Sequence, residues 1–61
     1  MVMELVYTKS YGEGAYGFVY RNAVGEYEVF EVPQYGGEER REGIFPADQY
    51  DDAVAYACSF I

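Results

Sequence analysis

The stretch Gly12-Glu13-Gly14-Ala15-Tyr16-Gly17-Phe18-Val19-Tyr20 constrains the fold more than any other part of this sequence. Two glycines bracket one residue, and such clusters supply the positive φ values that tight turns need. Directly afterwards Tyr16, Phe18 and Tyr20 alternate with Gly17, Val19 and Arg21. Alternation with period two is the mark of a strand with unlike faces. A turn that opens straight into a strand needs a preceding strand to pair with, so an antiparallel hairpin follows.

The flanking chain supplies the partners. Met1 to Lys9 reads as the first strand: Met3, Leu5 and Tyr7 share one parity, while Val2 and Val6 break the alternation. Ser10 to Gly14 is the connecting loop. Asn22-Ala23-Val24-Gly25 is a second turn, and Glu26 to Val32 a third strand. Within that strand the phase slips at Val29-Phe30, which predicts a β-bulge there. Pro33 ends it. Gln34 to Gly43 reads as a polar, charged loop, and Gly43-Ile44-Phe45 as a short fourth strand or a docking segment. Pro46 and Asp48 announce a helix, with Asp48 as the expected N-cap and Asp51 and Asp52 in its first turn. Its apolar stripe is Tyr50, Val54, Ala57, Cys58 and Ile61. The expected fold is α+β: a three- to four-stranded antiparallel sheet with one C-terminal helix packed on one face.

At 61 residues the chain makes a single small domain, residues 1–61. Such a chain buries only roughly 60% of its unfolded surface. The usual reinforcements are missing, since one cysteine cannot form an internal disulfide and no histidine is present for a Cys₂His₂ zinc site. No Ca²⁺-loop motif occurs either, so no cofactor and no metal are expected. Aromatic mass remains, in eight Tyr and four Phe. No signal peptide precedes the first strand, and no apolar run reaches the ~20 residues of a membrane span. The chain therefore reads as a complete cytoplasmic protein.

The glycine-rich stretch closely resembles the glycine-rich loop of protein kinases, down to the Tyr16 before its third glycine. The resemblance implies a backbone that covers ATP phosphates. It spans about nine residues and stops there. The following strand carries Glu31 in the run Val29-Phe30-Glu31-Val32, in the region where that family places a lysine. H-R-D and D-F-G motifs are absent. The third glycine leads into a strand rather than a helix, which also excludes a dinucleotide-binding unit. The hairpin reading stands, and no nucleophile–base pair points to an enzyme.

Charge is the loudest remaining signal. Eleven acidic residues face four basic ones, a net charge of −7. Direct nucleic-acid binding is disfavoured and a cationic partner favoured. The acids gather at Glu26, Glu28 and Glu31 on the third strand, at Glu38, Glu39 and Glu42 beyond it, and at Asp48, Asp51 and Asp52 where the helix starts. A rigid array of carboxylates can present a protein with what it otherwise meets in DNA or RNA. Eight tyrosines exceed what one small core can bury, and surface tyrosines suit protein contacts. Short length, strong acidity, surplus tyrosine and one thiol resemble the small phage-encoded inhibitors of host machinery, including anti-CRISPR proteins. The resemblance is one of type across the whole chain. It implies a basic nucleic-acid-binding partner, such as a CRISPR surveillance complex in a host cell; the placement of charge makes those nine carboxylates the candidate contacts. The second reading is a small adaptor homodimer whose acidity serves solubility.

Overall fold

The computed structural model describes residues 3–33 and 37–59. Four strands, β1 (Glu4–Gly12), β2 (Ala15–Arg21), β3 (Tyr27–Val32) and β4 (Arg40–Phe45), form an antiparallel meander in sequence order. One helix, α1 (Tyr50–Ala57), lies across one face, chiefly over β3 and β2. The α+β expectation holds.

The first hairpin is tighter than the sequence suggests. β1 continues to Gly12, and only Glu13 and Gly14 turn the chain. Both have positive φ, 54° and 80°, which matches the handedness favoured in two-residue hairpins. Glu13 is the only non-glycine residue with positive φ among those described. A Cβ built on Gly14 meets nothing within 4 Å, so the glycine is required by conformation and not by close packing. Glu13→Asn places the preferred Asn-Gly pair at this turn and raises stability by about 0.5–1 kcal/mol, read as a higher urea midpoint at unchanged m. The second hairpin is organised by Asn22. Its side-chain oxygen accepts from the amides of Val24 (3.1 Å) and Glu26 (2.9 Å), and its carbonyl accepts from Gly25 (3.0 Å).

β2 and β3 pair without interruption, from Tyr16 opposite Val32 to Arg21 opposite Tyr27. The irregularities fall on the edge strands. β1 shifts register at Val6, and again between Ser10 and Gly12. The bulge expected in β3 lies instead in its partner: Val29 faces Gly43 and Phe30 faces Arg41, so Glu42 is the extra residue. β3 can remain regular because both of its faces carry large side chains. Bulges on exposed edges also blunt pairing with other chains. The extra residue at Val6 turns Tyr7 to the helix side while Leu5 stays on the open side, which accounts for the broken parity in the sequence.

The core lies between sheet and helix. Val19, Val29, Ala53 and Ala57 are fully buried, with Val6, Tyr7, Tyr27, Phe45 and Val54 packed around them. The helix thus docks through Ala53 and Ala57, and of the stripe expected from periodicity Val54 and Ala57 face the core. Tyr50 and Cys58 are exposed, and Ile61 lies outside the described residues. Small side chains let helix and sheet approach closely, and larger ones straddle the contact. The approach is close over Gly43, where a Cβ would stand 3.2 Å from the Tyr56 ring. Gln49, not Asp48, occupies the N-cap position, and no side chain caps the helix. Within the stretch read as a loop, β4 already begins at Arg40, and residues 34–36 lie outside those described.

Tyrosine hydroxyls fasten the helix. Tyr11 donates to the carbonyl of Ala57, and Tyr56 donates to the carbonyl of Glu42 (3.3 Å). Tyr7 Oη stands 3.3 Å from Cys58 Sγ. At the other end of the helix, the Tyr27 and Tyr50 rings meet edge-on at 5.3 Å. Five of the eight tyrosines are therefore spent on helix docking. Tyr16 and Tyr20 stand on the opposite face of the sheet, and Tyr35 lies outside the described residues.

Candidate functional site

Antiparallel topology sorts the acidic residues by end. The β1–β2 turn and the β3–β4 connection share one end of the sheet, which holds Glu13, Glu38 and Glu39. The Asn22 turn and the start of α1 share the other, which holds Glu26, Asp48, Asp51 and Asp52. On the strands themselves the arginines neutralise their neighbours. Arg21 pairs with Glu4. Arg41 stands 3.5 Å from Glu28, and Arg40 lies 3.5 Å from Glu31 and 3.6 Å from Glu42. The arginine of each pair is exposed, so solvent screens the interaction. Their effect here is on the distribution of charge.

The nine acids singled out in the sequence thus divide into two groups. Glu28, Glu31 and Glu42 are compensated by arginine. The Glu28 side chain is the most enclosed of the paired carboxylates, 14% exposed, and also accepts from Asn22 Nδ2 at 2.9 Å. Glu26 precedes β3, so Glu26 and Glu28 are not the same-face strand pair that their spacing suggests. Glu26, Glu38, Glu39, Asp48, Asp51 and Asp52 have no cationic partner among the described residues, and Glu13 joins them. Lys9 is the one base outside an ion pair among those residues. The compensated set is close to neutral, and nearly all of the net charge of −7 sits at the two ends.

Asp48, Asp51 and Asp52 crowd the start of α1 beside Tyr50, around a shallow surface depression that Ala47 and Gln49 also line. Asp51 and Asp52 complement the positive helix N-terminus. With no cap hydrogen bond to hold them, their carboxylates face water. Among the described residues no group of three or more His, Cys, Asp or Glu is placed to hold a metal ion. No helix there is long and apolar enough to cross a membrane.

The kinase-like glycine stretch is the β1–β2 hairpin and the start of β2. Its first two glycines belong to the hairpin, and Gly17 is a buried residue of β2 in register with both neighbouring strands. Cys58 was expected on the buried helix face and is exposed beside Tyr7. That hydrogen bond, with burial behind it, holds the Tyr7 phenol above its ordinary value.

A feature the site reading missed is the aromatic face opposite the helix. Tyr16 and Phe18 stack at 5.7 Å, Phe18 and Tyr20 approach to 6.2 Å, and Tyr20 meets Phe30 edge-on at 5.3 Å. Its signal was present in the alternation of β2. Burial raises the Tyr20 pKa above 10.0, and the Glu39 carboxylate, which accepts its proton at 3.4 Å, adds to the shift. A phenol held protonated in the fold stabilises it below the unfolded value of about 10, and that contribution is lost as pH rises through the folded value. Glu39→Gln lowers the Tyr20 titration midpoint without returning it fully to 10, because burial remains. Phenolate absorbance against the Tyr20→Phe variant checks this.

Comparison with family models, with curated proteins and with solved structures finds no match.

Proposed function

We propose that this protein is a non-catalytic, stoichiometric inhibitor that occupies the nucleic-acid-binding site of a basic partner protein, in the manner of anti-CRISPR proteins. One observation carries the reading. All three arginines are consumed in local ion pairs, and seven carboxylates at the two ends of the sheet have none. A protein that needed acidity only for solubility could scatter its charge. Here the acids on the strands are neutralised, and the unpaired ones are concentrated in the turns and at the helix start. Carboxylates with no internal cation are free to take lysine and arginine from outside, without first breaking an ion pair at home. Long-range attraction would also speed encounter. The helix-start group, Asp48, Asp51 and Asp52 with Glu26 at the same end, is the strongest candidate contact, with Glu38 and Glu39 at the other. Glu28, Glu31 and Glu42 act in this reading as counter-charges that hold the arginines.

The test is competition. Purified basic nucleic-acid-binding proteins of the host, a CRISPR surveillance complex among them, are titrated with this protein in the presence of labelled DNA. The expected result is mutually exclusive binding at one-to-one stoichiometry, lost in the Asp48→Asn/Asp51→Asn/Asp52→Asn variant. Simultaneous binding of DNA and this protein, or undiminished binding by the variant, overturns the reading.

A further inference from the structure

Among the described residues, none covers the face of the sheet turned away from α1. Tyr16, Phe18 and Tyr20 run along β2, Phe30 stands beside them on β3, and Leu5 and Ile44 flank them on the edge strands. Leu5 and Ile44 are 50% and 51% exposed and Tyr16 is 40%. A contiguous apolar face with stacked rings marks a contact surface. What it contacts is argued from its charge. Apart from its rim the face carries two charged side chains, Glu28 and Arg41, which already neutralise each other at 3.5 Å. At the rim Glu39 accepts the Tyr20 hydroxyl. A basic partner finds almost nothing here to pair with, whereas a surface with balanced charges is complementary to itself.

We propose that this face is the contact between two copies of the chain, packed sheet on sheet. Both sheet edges are bulged, which disfavours edge-to-edge pairing and leaves the face as the apolar surface available. In plan, four strands about 4.8 Å apart and some six residues long cover roughly 400 Å². Protruding rings raise the accessible area to roughly 600 Å², so two faces bury about 1,200 Å², the lower end of the range for specific interfaces. The contact is isologous, with the sheets about 10 Å apart and the acidic ends at the perimeter, where the two net charges repel least. The proposal stands on a different observation from the inhibitor reading, and either can fail without the other.

Sedimentation equilibrium from micromolar to millimolar protein tests it. The expected result is a mass that rises with concentration to twice that of the chain. The dimer tightens in about 1 M salt, where the Debye length falls to about 3 Å and the like net charges no longer repel. Binding to a basic partner weakens under the same change. Tyr16→Lys and Ile44→Lys, both at exposed positions and checked for fold by circular dichroism, each weaken dimerisation at least tenfold. Asp51→Lys on the helix side does not weaken it. A monomer at every concentration and salt overturns the proposal. So does a dimer indifferent to both substitutions, or a monomer whose open face instead binds an arginine-rich peptide, read as amide shifts at Phe18 and Phe30.

Discussion

Ala53→Glu unfolds this protein at 25 °C, while Ala55→Glu, two residues along the same helix, changes its stability by no more than about 0.5 kcal/mol. Ala53 is fully buried between α1 and the sheet, beside Val19 and Val29. A carboxylate there has no cation within the core, and an unpaired buried charge costs several kcal/mol. The core of a chain this small supplies about 3–5 kcal/mol in total, so nothing is left. Ala55 points to solvent, where Glu costs little beyond its small difference in helix propensity. Circular dichroism along a urea gradient separates the two variants. A cooperative transition of near-wild-type midpoint in Ala53→Glu would show that the helix docks through some other face.

The second large effect concerns the helix-start carboxylates. Neutralising Asp48, Asp51 and Asp52 to Asn lowers affinity for a basic partner by about 10²–10³-fold, taking roughly 1–1.5 kcal/mol for each charge-assisted contact. It also flattens the salt dependence, because fewer charges are exchanged for ions on binding. Neutralising Glu31 and Glu42 has a much smaller effect on affinity, since each already faces Arg40. Titration calorimetry at three ionic strengths reads both quantities. Equal losses from the two variants would mean that total charge matters and its placement does not. The substitutions leave the fold intact, because these residues are exposed and make no capping hydrogen bond.

The sheet was legible because its evidence is local. Tyr16, Phe18 and Tyr20 alternate without interruption, and the glycines before them leave a hairpin as the simplest reading. The fourth strand was less so. Arg40, Arg41 and Glu42 read as a solvated loop, yet they pair with β3, where Glu31 and Glu28 meet the two arginines across the ladder. That compensation depends on register between residues 9 and 13 apart, which no local pattern encodes. The same is true of the division between neutralised and free carboxylates, since spacing alone made Glu26 and Glu28 look equivalent. The helix stripe was legible in part: Val54 and Ala57 do face the core, but the fully buried Ala53 lay outside the expected stripe, and Tyr50 and Cys58 are exposed. Periodicity gives little weight to a lone alanine, whereas close approach to a sheet selects one. Asp48 has the residue type of a cap, but the chain geometry gives that place to Gln49.

The tyrosine fastenings have a consequence for how the protein is made. Tyr7 and Tyr11, on the first strand, reach Cys58 and Ala57 at the end of the last element, across 51 and 46 residues. No shorter piece of the chain contains a closed version of this contact. During synthesis the meander can pair strand by strand, but its Val19 and Val29 side stays wet until Cys58 has cleared the ribosome. The slow step of folding is therefore long-range closure between β1 and α1.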